Sequence, residues 1–331
     1  MADKLLKFSS SPHVKAVRTT KQIMRHVCIA LLPACIAGVV FFGLNAALLI
    51  ALSLTSAILS EVVYHLICGK KLKEIYAGFD YTSAVTGLLI ALSVGVQTPW
   101  YAIILANIFA IVVVKMIFGG TGKNLVNPAV TGRIFAFMSF LSLMSNGWVN
   151  PNFASLSGAS SINAETNATL LTDLLKGNAP ALSNLDLLLG TGLAGCIGET
   201  CKVALILGGI YLAVLGIINI GYPAIYIAVT GLFTVCLNGF DFNCFLPAIL
   251  SGGLMLGAIF MATDYTTSPN TTLGNIVYFA LLGLLTAGLR QATGIEVVSF
   301  VILLMNLFVP LIDKFVRPKP FGFQKQKGGK K

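Results

Sequence analysis

The sequence predicts an all-α polytopic membrane protein of about ten transmembrane helices, arranged as two inverted five-helix repeats with broken or re-entrant segments. Three observations predict it. Of 331 residues, 56% are hydrophobic and only 10% charged, which leaves too few polar side chains to cover a soluble globule of that size. The apolar residues fall in successive segments of about 20 residues, the length that crosses a bilayer core. A four-residue echo, Gly78-Phe79-Asp80-Tyr81 and Gly239-Phe240-Asp241-Phe242, opens the third apolar segment of each half, as an internal duplication would.

In order, the expected spans are 27–43, 45–67, 82–97, 99–118, 129–145, 199–219, 222–237, 244–263, 275–291 and 295–312. The segments Gly119 to Pro128 and Leu185 to Thr200 are interrupted by Gly and Pro. Irregular backbone at membrane depth is tolerated only where it is buried in protein or lines a cavity, so both point to an internal site. Residues 1–26 form an N-terminal tail, 27–145 and 185–313 the two membrane halves, 146–184 a polar connecting loop, and 314–331 a basic tail. No cleavable leader is indicated in the mixed, basic stretch from Met1 to Arg25.

Charge orients the spans. Six Lys or Arg lie up to Arg25, three between Lys70 and Lys73, and seven from Lys314 onward. With ten spans these fall on one side together with Lys115, Lys123 and Arg133, so both termini are expected in the cytoplasm and the long loop outside. The net charge of +10 then reports topology and contact with anionic lipid rather than nucleic-acid binding. Seven cysteines without a C-x-x-C pair favour neither a disulfide framework nor a zinc site; small apolar packing is the plainer account.

Charges at membrane depth usually mark pathways or ligands, because an Asp at a helix centre costs about 2.5–3.5 kcal/mol on insertion scales. Glu61, Glu199 and Asp264 qualify. Glu61, with His65 one turn on, reads either as an ion ligand or as a snorkelling pair. Gly198-Glu199-Thr200 offers backbone N–H groups and a hydroxyl to a phosphate or a heterocycle edge; the alternative is an acidic residue at a helix N-terminus. Asn124, Asn127 and Pro128 follow a Gly-rich turn whose amides suit the polar edge of a ring. That turn is no P-loop, since Lys123 is followed by Asn. Around Asp264 six hydroxyl or amide side chains crowd residues 263–271. No hydrolase pattern occurs, and His13, His26 and His65 are scattered.

Read together, Ser9-Ser10-Ser11-Pro12-His13, Asp80 with Thr82 to Leu89, Gly119 to Pro128, Gly198-Glu199-Thr200, Ala262-Thr263-Asp264 with Thr267-Ser268-Pro269, and Leu304-Met305-Asn306 resemble the RnfD family across nearly the whole chain. That family is similar to NqrB of the sodium-pumping NADH:quinone oxidoreductase. The resemblance implies an electron-carrying subunit, in the bacterial cytoplasmic membrane, of a complex that couples ferredoxin:NAD electron transfer to sodium or proton translocation. It implies FMN joined through its phosphate to a threonine of the external loop by a separate flavin transferase. The acceptor maps onto Thr169, with Ala168 before it and Thr166 three residues earlier. Here Asn163 stands where the family commonly has Asp, and Leu170 where it has Pro or a hydroxyl residue, so Thr166 and Thr172 stand as alternatives.

The resemblance further implies a noncovalent riboflavin, for which Asn124, Asn127 and Pro128 are the expected lining, and a part in cation movement for Glu61 and Asp264. Partner subunits are expected to bind NAD and carry the iron–sulfur clusters, because this chain has neither fingerprint. The competing class is a secondary transporter of a small polar solute or ion, which explains ten spans and broken helices without redox chemistry. A structural assembly subunit would bind no cofactor.

Overall fold

A computed structural model describes residues 18–145, 183–190 and 195–316. The flavin acceptor expected at Thr169, with Ala168 and the alternatives Thr166 and Thr172, lies outside the described residues.

Among the described residues the regular structure is helical throughout. The first half comprises α1 (Thr20–Phe42), α2 (Leu44–Ile67), α3 (Leu72–Gly78), α4 (Thr82–Leu92), α5 (Trp100–Met116), α6 (Pro128–Ser139) and α7 (Leu141–Ser145). The short α8 (Asn184–Leu189) leads into the second half: α9 (Lys202–Val214), α10 (Gly221–Leu237), α11 (Phe242–Leu250), α12 (Leu254–Met261), α13 (Thr272–Thr293) and α14 (Val298–Phe315).

Local chemistry sets the ends. A capping box starts α1: Gln22 N donates to Thr19 Oγ1 at 3.3 Å and Thr19 N donates to Gln22 Oε1 at 3.0 Å. Gly43, at φ 70°, both ends α1 and begins α2, a reversal in one residue that the left-handed backbone of glycine allows.

Burial is inverted relative to a soluble bundle. Ile29, Leu32, Ile36 and Val40 of α1 are exposed at helical spacing, as are Leu48, Leu59 and Val63 of α2, whereas Ser53, Ser60 and Glu61 are buried. Apolar side chains facing outward and polar ones facing inward are what hydrocarbon surroundings select.

Among the described residues four helices, α1, α2, α13 and α14, are long and apolar enough to cross a membrane, and six crossings result if the bent pairs α3–α4 (72°) and α11–α12 (66°) each count as one. The ten full-length spans expected are therefore not reached by length. Polar turns and glycines break the apolar segments sooner than hydropathy does, leaving α5, α9 and α10 as shorter apolar helices and α6 at 12 residues. Gly119 to Pro128 is turns rather than a broken helix.

Each half carries one bent pair. The four-residue echo marks the bend only in the first half: residues 79–81 separate α3 from α4, whereas Asp241 starts α11 and the second bend falls at 251–253. Asp80 and Asp241 nonetheless make the same turn, each accepting at Oδ1 from the N–H two residues on, at 3.0 Å. Packing joins the halves through α1 against α9, while α2 lies on α4 and α5, and α10 on α13.

Candidate functional site: a cavity between the halves and two polar centres

Between α1, α4 and the start of α6 on one side and α9 and α12 on the other lies a cavity open at its mouth, about 810 Å³ when the solvent-filled opening is counted. Ile23, Met24, Val27, Leu89 and Phe260 give it apolar walls; Thr82, Lys115, Asn124, Asn127, Asp264 and Thr266 bring polar groups to it. That balance, mostly apolar with a few placed polar atoms, is the usual make-up of a small-molecule site.

Three of the residues singled out from sequence build one corner. Asn127 caps α6, accepting at Oδ1 from Ala129 N at 2.9 Å and donating from Nδ2 to Met261 O at 3.0 Å, so it fixes the helix to the end of α12. Pro128 occupies the first helical position, where no N–H is needed. Asn124 donates to Val126 O at 3.1 Å and Thr266 Oγ1 at 3.3 Å, and its Oδ1 accepts nothing among the described residues.

Across from them, Asp264 accepts from Thr266 N at 3.2 Å, Thr266 Oγ1 at 2.8 Å and Thr267 Oγ1 at 3.3 Å. Burial pushes its carboxyl above the usual range, and the three donors only partly offset that. Asn306 of α14 ties the corner together: in the amide orientation that satisfies its neighbours it accepts from Asn127 N at 3.1 Å and donates to Tyr278 Oη at 2.8 Å.

Lys115 enters the cavity from α5, whose last eight residues, Phe109–Met116, are π-helical, a local widening common at functional sites. It is 2% exposed. Its Nζ donates to Glu61 Oε1 at 3.1 Å and also to Thr82 Oγ1. Thr82 in turn donates to Asp80 Oδ1 at 2.5 Å, and Thr121 donates to Asp80 Oδ2 at 2.6 Å. Glu61 Oε2, Ser83 Oγ and Asn107 Oδ1 are buried without a hydrogen-bond partner among the described residues. All three belong to α2, α4 and α5, the helices that pack together here.

The second polar centre surrounds Glu199. Gly198 N donates to Leu92 O at 2.8 Å, Ile197 N to Val94 O at 3.0 Å and Glu199 N to Cys196 O at 3.2 Å. Glu199 Oε1 accepts from Cys196 N at 2.8 Å, and the Thr200 hydroxyl donates to Ile197 O at 3.4 Å. The N–H groups expected to be open to a phosphate at Gly198 and Glu199 thus go to protein carbonyls. Lys202, fully buried, donates to Glu199 O and to Gly252 O, the latter at 2.9 Å. Arg290 pairs with Glu296 at 2.7 Å and donates to Ala248 O and Ser251 O at 3.0 and 3.3 Å, holding the bend between α11 and α12. Arg133 donates to Ser299 Oγ at 2.6 Å.

The two centres share elements. Helix α4 runs from Thr82 at the cavity to Leu92 beneath Gly198. On α6, six residues separate Asn127 from Arg133, about 9 Å along the axis at the standard helical rise. The structure therefore brings Asn124, Asn127, Pro128 and Asp264 to one cavity, attaches Glu61 to it through Lys115, and sets Gly198-Glu199-Thr200 apart at the far end of α4.

Sequence reasoning missed Lys115 and Arg133, which it counts as cytoplasmic surface charges. The signal is present for Lys115, a lone charge inside the apolar stretch 99–118. The rule that intramembrane charges mark function holds for a lysine as well as for an acid.

The sequence profile of the NQR2, RnfD, RnfE family matches residues 7–322. A protein of Acetobacterium woodii, named as a subunit of the Na(+)-translocating ferredoxin:NAD(+) oxidoreductase complex, is 39% identical, with 97% of each chain covered. One of Clostridium ljungdahlii, named as a subunit of a proton-translocating ferredoxin:NAD(+) oxidoreductase complex, is 35% identical over 95% of each. A third, of Aliivibrio salmonicida, named as a subunit of an ion-translocating oxidoreductase complex, is 32% identical, covering 96% of this chain and 98% of its own.

Proposed function

The chain belongs to the NQR2, RnfD, RnfE family, and on that premise we propose that it is the electron-carrying membrane subunit of an ion-translocating ferredoxin:NAD oxidoreductase complex. The observation that carries this reading is the cavity between the halves, with Asn124, Asn127, Pro128 and Asp264 gathered at its polar corner.

A riboflavin ring fits what the residues offer. Its flat apolar faces match the Ile23, Met24, Val27 and Phe260 walls, and the free Asn124 Oδ1 is an acceptor for a ring N–H. Such a ring supplies one- and two-electron chemistry, and the protein supplies position and electrostatics. Asn127 holds α6 against α12 so that the corner keeps its shape. Phe260 and the α1 side chains exclude water. Glu61, through Lys115, and Asp264 are the acidic groups placed to take part in cation movement.

A second flavin, FMN, is carried on the Thr169 hydroxyl through a phosphoester placed by a flavin transferase. Gly198-Glu199-Thr200 then serves as the rigid frame beside that loop's return to the bundle. Two flavins give an electron two stations within one chain, and iron–sulfur and NAD-binding partner subunits hold the other carriers. On this reading the halves are inverted five-segment units, both termini face the cytoplasm, and the 146–184 loop is external. One relative is named for sodium and another for protons.

The test is in-gel fluorescence of the denatured chain co-expressed with its transferase. Signal present in wild type and Thr166→Ala but absent in Thr169→Ala supports the tether at Thr169; a dark wild-type chain, with transferase active on another substrate, supports the secondary transporter instead.

A further inference from the structure

Lys115 stands at a junction whose geometry a flavin site alone does not explain. An ammonium has three donors. Two go to Glu61 Oε1 and Thr82 Oγ1, and the side chain also lines the cavity. Its partner Glu61 is 6% exposed and has one oxygen, Oε2, with no hydrogen-bond partner among the described residues. A buried carboxylate held by a single flexible cation, beside a cavity open to that same cation, is an incomplete ion pair.

We propose that Lys115 is a counter-charge shared between Glu61 and the cavity, so that negative charge gained by a ring in the cavity draws the ammonium away and leaves Glu61 to take up one monovalent cation. This rests on the reading of the cavity as a flavin site.

The charges balance. With a flavin bound in the cavity, one electron from a one-electron donor of the complex would add one negative charge there, and the Lys115 ammonium would move to neutralise it without any covalent bond forming. Glu61, now unpaired, binds one cation at its two oxygens. When the electron leaves, Lys115 returns and the cation is expelled. Thr82 lets the ammonium move without stranding Asp80, because the Thr82 and Thr121 hydroxyls and the Thr82 N–H remain donated to that carboxylate. The arrangement ties electron occupancy to cation occupancy through one side chain, with no large motion of helices.

The experiment uses the full-length chain purified from a host lacking flavin transferase, so that riboflavin is the flavin present, and reads its midpoint potential by spectroelectrochemistry. Lys115→Met is expected to lower the potential, and Glu61→Gln, which frees Lys115, to raise it. Each shift corresponds to at least a tenfold change in the reduced-to-oxidised ratio, about 59 mV for one electron. Lys115→Arg restores most of the wild-type value. In wild type the potential follows sodium at fixed pH where sodium is the cation, and Glu61→Gln abolishes that dependence; where a proton is the cation, Glu61→Gln removes only the part of the pH dependence added to that of the ring itself, with His65, the neighbouring titratable group, left in place.

Bound riboflavin with an unchanged potential in Lys115→Met overturns the proposal, as do shifts of the same sign in both variants. Should Lys115→Met not accumulate in the membrane, the rise in Glu61→Gln decides alone. A wild-type chain that retains no riboflavin overturns the cavity reading itself, an outcome distinct from these.

Discussion

The two polar centres are built from similar side chains and differ in what those side chains bind and face. Around Arg290, a guanidinium binds a carboxylate and two backbone carbonyls and leaves only its Nε without a partner among the described residues, and Lys202 is given over to backbone oxygens. Around Lys115, an equally buried pair leaves Glu61 Oε2, Ser83 Oγ and Asn107 Oδ1 with no partner among the described residues and faces a cavity. A network tied to backbone carbonyls fixes the bend between α11 and α12; one that faces a cavity has somewhere to go. Unsatisfied buried polar atoms are costly, and both halves hold some, Asn238 Nδ2, Arg290 Nε and Gln291 Oε1 in the second; Glu61 Oε2, Ser83 Oγ and Asn107 Oδ1 gather where α2, α4 and α5 pack beside the cavity.

The largest contrast is expected on removing both members of each pair. Arg290→Met with Glu296→Gln orphans the carbonyls of Ala248 and Ser251 and is expected to cost about 2–5 kcal/mol, read as a lower unfolding midpoint in detergent and loss of monodisperse protein. Gly198→Ala tests the same rigid region more gently. A Cβ there would lie 2.5 Å from Leu92 Cβ and 3.0 Å from Leu92 O, so the two segments of chain have to part where they cross, at about 1–3 kcal/mol.

The open centre behaves otherwise. Glu61→Gln with Lys115→Met removes a buried pair together, a change that is often neutral. It is expected to alter stability by no more than about 1 kcal/mol while abolishing ion uptake by vesicles carrying the complex. A large loss of stability would erase the distinction between the centres. Asn124→Ala is expected to leave folding intact and weaken riboflavin binding about tenfold, or ~1.4 kcal/mol, measured by fluorescence titration. Smallest in stability is Thr169→Ala, expected to shift the unfolding midpoint by nothing measurable while removing the tethered flavin.

Much of this is legible in the sequence, and the reasons for the remainder are specific. Hydropathy places the apolar segments, since burial in lipid selects composition over long stretches. It overstates their length, because a turn such as Ser251-Gly252-Gly253 interrupts a helix without lowering average hydropathy much. Asn124, Asn127 and Pro128 are visible as a turn followed by a helix start, and Asp264 as a charge among hydroxyls. Their convergence is not visible, because the Asn127 to Met261 bond spans 134 residues.

Lys115 is misread for a related reason. A lysine near the end of an apolar stretch looks the same whether it snorkels to the surface or turns inward to a carboxylate 54 residues away. The π-helical turn that aims it inward has no sequence signature. At Gly198-Glu199-Thr200 the residue types suggest an anion cradle; only the register against Leu92 and Val94 reveals that the N–H groups are taken.

The proposed role requires a noncovalent flavin in the cavity between the halves. It is tested most directly by acid extraction of flavin from the purified full-length chain, comparing wild type with Thr86→Phe, which places a ring in the cavity from the α4 wall. The account predicts stoichiometric riboflavin in wild type and none in a Thr86→Phe chain that is still folded. Riboflavin retained in that variant, or absent from wild type, would contradict it.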